Sequence, residues 1–250
     1  MANKTDPTAA ILLIGNELLS GKVEDENARF LIRELRELGV ALRRIEVIPD
    51  VADEIADSVR ALAGRFDHLF TSGGVGPTHD DVTLPAVAAA FGLPVVRHAE
   101  LEQLLQSSYG DRLHPRDLRM ADLPADARLE YGPGGPGSTW PVVVVRNVWV
   151  LPGVPEVFQM KLPHVRAELG VSTPFVSLAV YTRLDEGDLK PLLDRVVASH
   201  TEVEVGSYPK WHDPEYRTKL TFDGLSEARV RAARDAFVAE LPAGAMVRSE

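Results

Sequence analysis

Thr71 to Thr83, reading TSGGVGPTHDDVT, is the stretch that decides how this chain is read. It follows a short apolar run from Asp67 to Thr71, which reads as a strand, and leads into LPAVAAAFG, which reads as a helix. Three glycines and a proline turn the chain tightly between them. Glycine has no Cβ, so Gly73, Gly74 and Gly76 can bring bare backbone N–H groups up to a phosphate or carboxylate. Asp80 and Asp81 would repel such an anion at close range, so an acidic pair there implies a hard divalent cation, Mg²⁺ or Co²⁺, between carboxylate and phosphate. Asp and Thr are also ordinary helix N-caps, and the same residues read equally as a turn that starts a helix.

Upstream, Ala9 to Ile14 is a continuous apolar run expected as a buried strand, followed by the loop GNELLSG, Gly15 to Gly21. Phe30, Leu31, Leu35 and Leu38 recur at helical spacing between Asp25 and Leu38, with Gly39 as the stop. Val40 to Ile48 returns to β-branched character, and a second helix is expected from Pro49-Asp50 to about Ala63. Strands alternating with helices predict right-handed βαβ units in a mainly parallel sheet, with ligands at the carboxyl ends of the strands. A third glycine- and proline-bearing turn, Leu151 to Glu156, follows the strand-like Val148 to Leu151, so three such turns should meet at one crevice. His98 to Tyr109 and His114 to Met120 read as helical, and the loop Tyr131 to Pro141 reads as either a surface connection or a lid. Beyond Gly170 to Pro174 the order becomes β-α-β-β-α: Phe175 to Leu184, Glu186 to Ala198, Val203 to Tyr208, Tyr216 to Phe222 and Ser226 to Leu241. The expectation is a doubly wound α/β domain over residues 1–170 and a small α+β domain over 171–250. It requires Ala9 to Ile14 and Asp67 to Thr71 to share one sheet.

With 250 residues the chain can bury a full core. Lys and Arg number 27 against 37 Asp and Glu, a net charge of −10 with no long basic run, which argues against nonspecific nucleic-acid binding. The absence of cysteine excludes disulfides, thiolate metal sites and a cysteine nucleophile, and suits a cytoplasmic location. The N-terminal apolar run is too short for a signal sequence or a membrane span, and the residues before it read as a disordered tip. Seven histidines without an HExxH pattern argue against a zinc hydrolase. Tyr208, Trp211 and Tyr216 can stack on an adenine or flavin ring, or pack a hairpin or a subunit contact in an expected homo-oligomer.

GNELLSG, GGVGPTHDDVT and LPGVPE together resemble the molybdopterin-binding-like domain of molybdenum-cofactor biosynthesis proteins and of competence/damage-inducible protein A (CinA). VRNVWVLPGVPE and GSYPKWHDPEYRTKLTF are similar to the corresponding region of eukaryotic FAD synthases, so the resemblance covers nearly the whole chain. It implies either a divalent-metal-dependent pyrophosphatase, acting on ADP-ribose or FAD, or the adenylylation of molybdopterin. Both reactions occur at a phosphate bonded to AMP. The adenylylating relatives carry a functional Asp at the position of Asp81 and another at that of Asp50. Asp80 is acidic as in the CinA branch, where the adenylylating branch often has a basic residue.

These readings assign Asp81 as the first metal ligand, with Asp80 or Asp50 as second ligand or as orienter of the attacking water. Gly73, Gly74 and Gly76 offer N–H groups, Pro77 shapes their loop, and Thr78 and Thr83 can add hydroxyl hydrogen bonds. On the first loop, Gly15 gives access, Glu17 can reach a ribose hydroxyl or a metal-held water, and Asn16 and Ser20 are neutral partners; the trio reads equally as a helix-leading turn. Gly153 and Pro155 shape the crevice wall. His79 is either a general acid or simply exposed. The leading function is a metal-dependent hydrolase of a nucleotide pyrophosphate. The competing one is a module that holds a pterin or nucleotide without turnover. Molybdopterin adenylylation stands third, disfavoured by the FAD-synthase-like second half.

Overall fold

A strand with no polar face must be covered on both sides, and β1 (Thr8–Ile14) is: Ala9 to Ile14 are all buried. The computed structural model describes residues 7–136, 139–170, 173–212 and 214–250. The expected N-terminal tip (1–6), two residues of the glycine-rich loop (137 and 138), the expected domain boundary (171 and 172) and residue 213 of the last hairpin lie outside the described residues. The chain divides into two units, Met1–Ser172 and Thr173–Glu250.

In the first unit β1 is followed by a single helical turn, α1 (Asn16–Leu19), inside what the sequence suggests is an irregular loop. Then come α2 (Asn27–Glu37), β2 (Ala41–Ile48), α3 (Ala52–Ala63), β3 (His68–Ser72), α4 (Thr83–Phe91), β4 (Val95–Arg97), α5 (Ala99–Tyr109) and a 3₁₀ stretch Pro115–Ala121. β5 (Asp122–Pro124), β6 (Ala127–Glu130), β7 (Val142–Val145), β8 (Val148–Leu151) and α6 (Pro155–Leu169) complete it. The main sheet runs β2-β1-β3-β8-β7-β6. Its first four strands are parallel, and β7 and β6 add an antiparallel edge. β1 pairs directly with β3, Ala9 opposite His68 through Leu13 opposite Ser72, as the single-sheet expectation requires.

Successive side chains of a strand point to opposite faces, and β1 feeds two cores. Ala10, Leu12 and Ile14 pack with Ile55 and Val59 of α3 and Val87 of α4. Ala9, Ile11 and Leu13 pack with Leu31 and Leu35 of α2 and Phe158 and Leu162 of α6. Gly39 and Gly92, with φ of 68° and 66°, end α2 and α4 in the left-handed conformation that glycine takes without strain.

The second unit holds β9 (Val176–Thr182), α7 (Glu186–Ser199), β10 (Glu204–Pro209), β11 (Thr218–Gly224), α8 (Glu227–Glu240) and β12 (Met246–Ser249). Its sheet is antiparallel in the order β10-β11-β9-β12. Burial alternates along β11, so one face is covered: Leu220 and Phe222 meet Val230, Ala233 and Phe237 of α8 and Leu189 of α7.

Candidate functional site

The parallel order sets the carboxyl ends of β1, β3 and β8 side by side, and their turns touch there. Gly73 N donates to Leu151 O at 3.2 Å. A Cβ on Gly73 would lie 2.2 Å from Ile14 O, and one on Gly153 3.3 Å from Gly73 Cα. Gly73 also has a φ of 112°, so glycine is needed here for both conformation and space. Asn27, only 4% exposed at the start of α2, donates from Nδ2 to Ser72 Oγ at 2.9 Å and to Gly153 O at 2.7 Å. It ties α2 to the ends of β3 and β8. Sequence reasoning missed it, since an asparagine at a helix start looks like a cap.

Within the loop after β3, Thr83 N donates to Gly74 O at 3.0 Å and Thr83 Oγ1 to Gly73 O at 2.9 Å. Thr83 is fully buried, so its hydroxyl braces the loop and is not free for a phosphate, which corrects the sequence expectation. The N–H groups of Gly74, Val75 and Gly76 donate to no protein acceptor among the described residues. Three consecutive free donors in a loop opened by left-handed glycines are backbone groups from which an anion can accept.

The acidic pair closes on itself around Thr78. The Thr78 hydroxyl lies 2.5 Å from both Asp80 Oδ1 and Asp81 Oδ2, and Thr78 N donates to Asp81 Oδ2 at 2.7 Å. The hydrogen bond from Thr78 holds the Asp80 carboxyl below the ordinary carboxylate range. Two carboxylate oxygens converging on one hydroxyl are hard donors of the kind Mg²⁺ takes when water and phosphate fill the rest of its shell. Among the described residues no three acidic or histidine side chains gather into a metal-binding group. Asp50 does not join the pair. Its Oδ2 accepts from Asn16 N at 2.8 Å, holding the start of α1 at the end of β2, on the other side of β1 from β3.

The first loop turns inward on itself. Glu17 folds back over Gly15, where a Cβ would meet Glu17 Oε1 at 2.5 Å, and Ser20 Oγ donates to Glu17 O at 3.2 Å. Pro77 sits between Gly76 and Thr78 in the second loop, and Pro155 opens α6. The His79 side chain is 97% exposed, with Nδ1 3.8 Å from Asp80 Oδ1.

A cleft of about 280 Å³ opens beside the cradle. Gly74, Gly76 and Asp81 line one side, and Leu84, Val95 and Met120 give it an apolar wall. Arg119 lines it too, with Nη1 donating to Thr78 O at 3.3 Å. The sequence offered no reason to choose it over Arg112 or Arg116 nearby.

The loop from Tyr131 to Pro141 leaves the sheet at the same end, because β6 and β7 are antiparallel with Glu130 opposite Val142, and Val143 faces Val150 of β8. Two side chains of α6 fasten its described tail. Lys161 Nζ donates to Trp140 O at 2.5 Å and Pro141 O at 3.0 Å, and burial pushes its pKa down to about 8. His164 Nε2 lies 2.8 Å from Thr139 Oγ1, and burial, then the Lys161 charge, lowers its pKa. In the second unit Trp211 is 88% exposed and Tyr208 is exposed, while Tyr216 packs edge-on against Tyr181 at 4.9 Å.

Residues 10–167 match the family described as the probable molybdopterin binding domain, and residues 174–250 match the FAD synthase middle domain. A probable FAD synthase of Caenorhabditis elegans is 34% identical over 90% of this chain and 48% of its own length. A CinA-like protein of Anaeromyxobacter dehalogenans is 35% identical over 90% of this chain and 57% of its own length. The chain thus spans about half the length of these curated relatives. Among solved structures, the protein CinA of Thermoplasma acidophilum, described as of unknown function, is 30% identical, with a TM-score of 0.59 over 66% of this chain and 99% of that one.

Proposed function

This chain belongs to the molybdopterin-binding domain family, and we propose that it is a divalent-metal-dependent pyrophosphatase acting on FAD, ADP-ribose or a related nucleotide. The observation that carries the proposal is the juxtaposition of three free N–H groups, Gly74 to Gly76, with the carboxylates of Asp80 and Asp81 on one loop. Donors alone would suit any anion. Carboxylates beside them make sense when a cation is shared with the ligand. The FAD synthase and CinA-like relatives support a nucleotide-related ligand.

The chemistry follows from where these groups stand. The cradle holds the phosphate oxygens, and its fixed dipoles meet the charge that develops as the bond from one phosphorus to the bridging oxygen breaks. Asp80 and Asp81 would hold the ion, and the Thr78 hydroxyl lies between one oxygen of each. A divalent ion held there would supply neutralisation of the leaving phosphate and easier deprotonation of the attacking water. Water adds to one phosphorus and the bridging oxygen leaves with the other, giving AMP with FMN from FAD, or AMP with ribose 5-phosphate from ADP-ribose. The apolar wall of the cleft suits the face of a planar ring.

A second reading has its own observation. Asp81 Oδ2 already accepts from Thr78 N, as a loop-capping aspartate does, which suits a module that binds a nucleotide or pterin without turnover. Chromatography of FAD and of ADP-ribose incubated with the protein and Mg²⁺ or Co²⁺ separates the two. Release of AMP with enzyme-dependent kinetics supports the hydrolase; tight binding with both substrates intact supports the module.

A further inference from the structure

The cradle just described has a positive charge at its edge that the fold leaves unneutralised. Arg119 belongs to the 3₁₀ stretch between α5 and β5, and its backbone position is fixed. Two residues on, Ala121 is fully buried, and Ala121 O accepts from His98 N at 2.8 Å. At the other end of that stretch His114 N donates to Asp117 Oδ2 at 2.9 Å. Arg119 Nη1 reaches Thr78 O, the residue around which Asp80 and Asp81 turn.

Both carboxylates that share the cleft with Arg119 are engaged elsewhere. Asp122 Oδ1 accepts from Arg97 Nε at 2.5 Å, and Asp81 Oδ2 accepts from Thr78. Arg119 makes no ion pair among the described residues, whereas Arg97, Arg128 and Arg166 of the same unit are all paired with carboxylates. A guanidinium has five donors in a planar fork matched to phosphate oxygens, and here one donor is used. The one it uses ties the fork to the loop that carries the free N–H groups.

We propose that Arg119 is a phosphate-binding residue of this site, its guanidinium taking one phosphate of a pyrophosphate group while the N–H groups of Gly74 to Gly76 take the other. The inference rests on the reading of this loop as a pyrophosphate cradle and adds the counter-charge that reading lacks. In a chain of net charge −10, two loop carboxylates and a pyrophosphate need more positive charge than one divalent ion brings.

The test is calorimetric titration of the full chain with inorganic pyrophosphate in Mg²⁺, at two salt concentrations, for the wild type, Arg119→Ala, Arg119→Lys and Arg116→Ala. Arg116 is an exposed neighbour on the same stretch that removes the same charge from the protein. Arg119→Ala should weaken binding at least tenfold and make it less sensitive to salt, Arg119→Lys should fall between, and Arg116→Ala should match the wild type. An arginine that only braces Thr78 would leave the salt dependence unchanged, and that outcome overturns the proposal. So does wild-type affinity in Arg119→Ala, an equal loss in Arg116→Ala, or no binding by the wild type. If pyrophosphate binding depends on Arg119 while neither FAD nor ADP-ribose yields AMP, the anion site stands and the pyrophosphatase reading falls.

Discussion

At the scale of single residues, Asp81 and the glycines before it separate chemistry from architecture. Asp81→Asn keeps an oxygen that can accept from Thr78 N, so the loop should hold its shape while a charged metal ligand is lost. Turnover of FAD or ADP-ribose should drop about 100-fold or more in kcat with an unchanged thermal transition, read by AMP release and circular dichroism. Near-normal turnover in the folded variant would remove Asp81 from the mechanism. Gly73→Ala should act oppositely. Its Cβ would sit 2.2 Å from Ile14 O at a φ of 112°, and the loss of stability in urea unfolding should be about 3 kcal/mol or more. That the glycines and the acidic pair share one loop at a strand end was legible, because they are contiguous in sequence directly after the β3 run. Asn27 and Arg119 were not: Asn27 matters through Gly153, 126 residues away, and Arg119 through Thr78, 41 residues away. Thr83 misled for the same reason, since nothing local says that its hydroxyl faces Gly73 O.

Elements were legible where length and periodicity coincide. β1, α2, β3 and α4 each carry enough residues for an apolar run or a helical stripe, and they place the glycine loop at a strand end. The three-residue β4 and β5 are too short to show alternation, and β7 and β12 are four-residue strands defined by partners that only the folded chain supplies. Asn27 is the test of how these elements are joined. Asn27→Ala should cost about 2 kcal/mol in urea unfolding by leaving Gly153 O and Ser72 Oγ without their buried donor, and wild-type stability would show that the strand ends do not depend on it. The seam between α6 and the loop before β7 makes a prediction in pH. His164 has a folded pKa below its unfolded value of about 6.5, so the unfolded chain takes up its proton first as pH falls. Its contribution is complete above about pH 6.5, is lost as pH falls below that, and stops changing below the folded pKa. His68, also lowered by burial, adds a loss of the same sign. Between pH 7 and 5, the fall in urea midpoint should be smaller in His164→Gln than in the wild type; equal falls would mean that His164 does not titrate with folding.

On the scale of the whole molecule, the first unit carries the loops of the proposed phosphate site and the second carries the match to the FAD synthase middle domain. No helix among the described residues is long and apolar enough to cross a membrane. With a net charge of −10, the protein as a whole repels an anionic nucleotide, so the proposed binding would depend on local positive charge at the crevice. The decisive measurement is calorimetric titration of the full chain with an ADP-ribose analogue whose bridging oxygen is replaced by methylene, first after EDTA treatment and then with Mg²⁺ restored. A cation shared between Asp80, Asp81 and the phosphates predicts affinity at least tenfold weaker in EDTA and recovered with Mg²⁺. The same affinity in both conditions would mean that the carboxylates do not face the phosphates, and would contradict a metal-dependent pyrophosphatase.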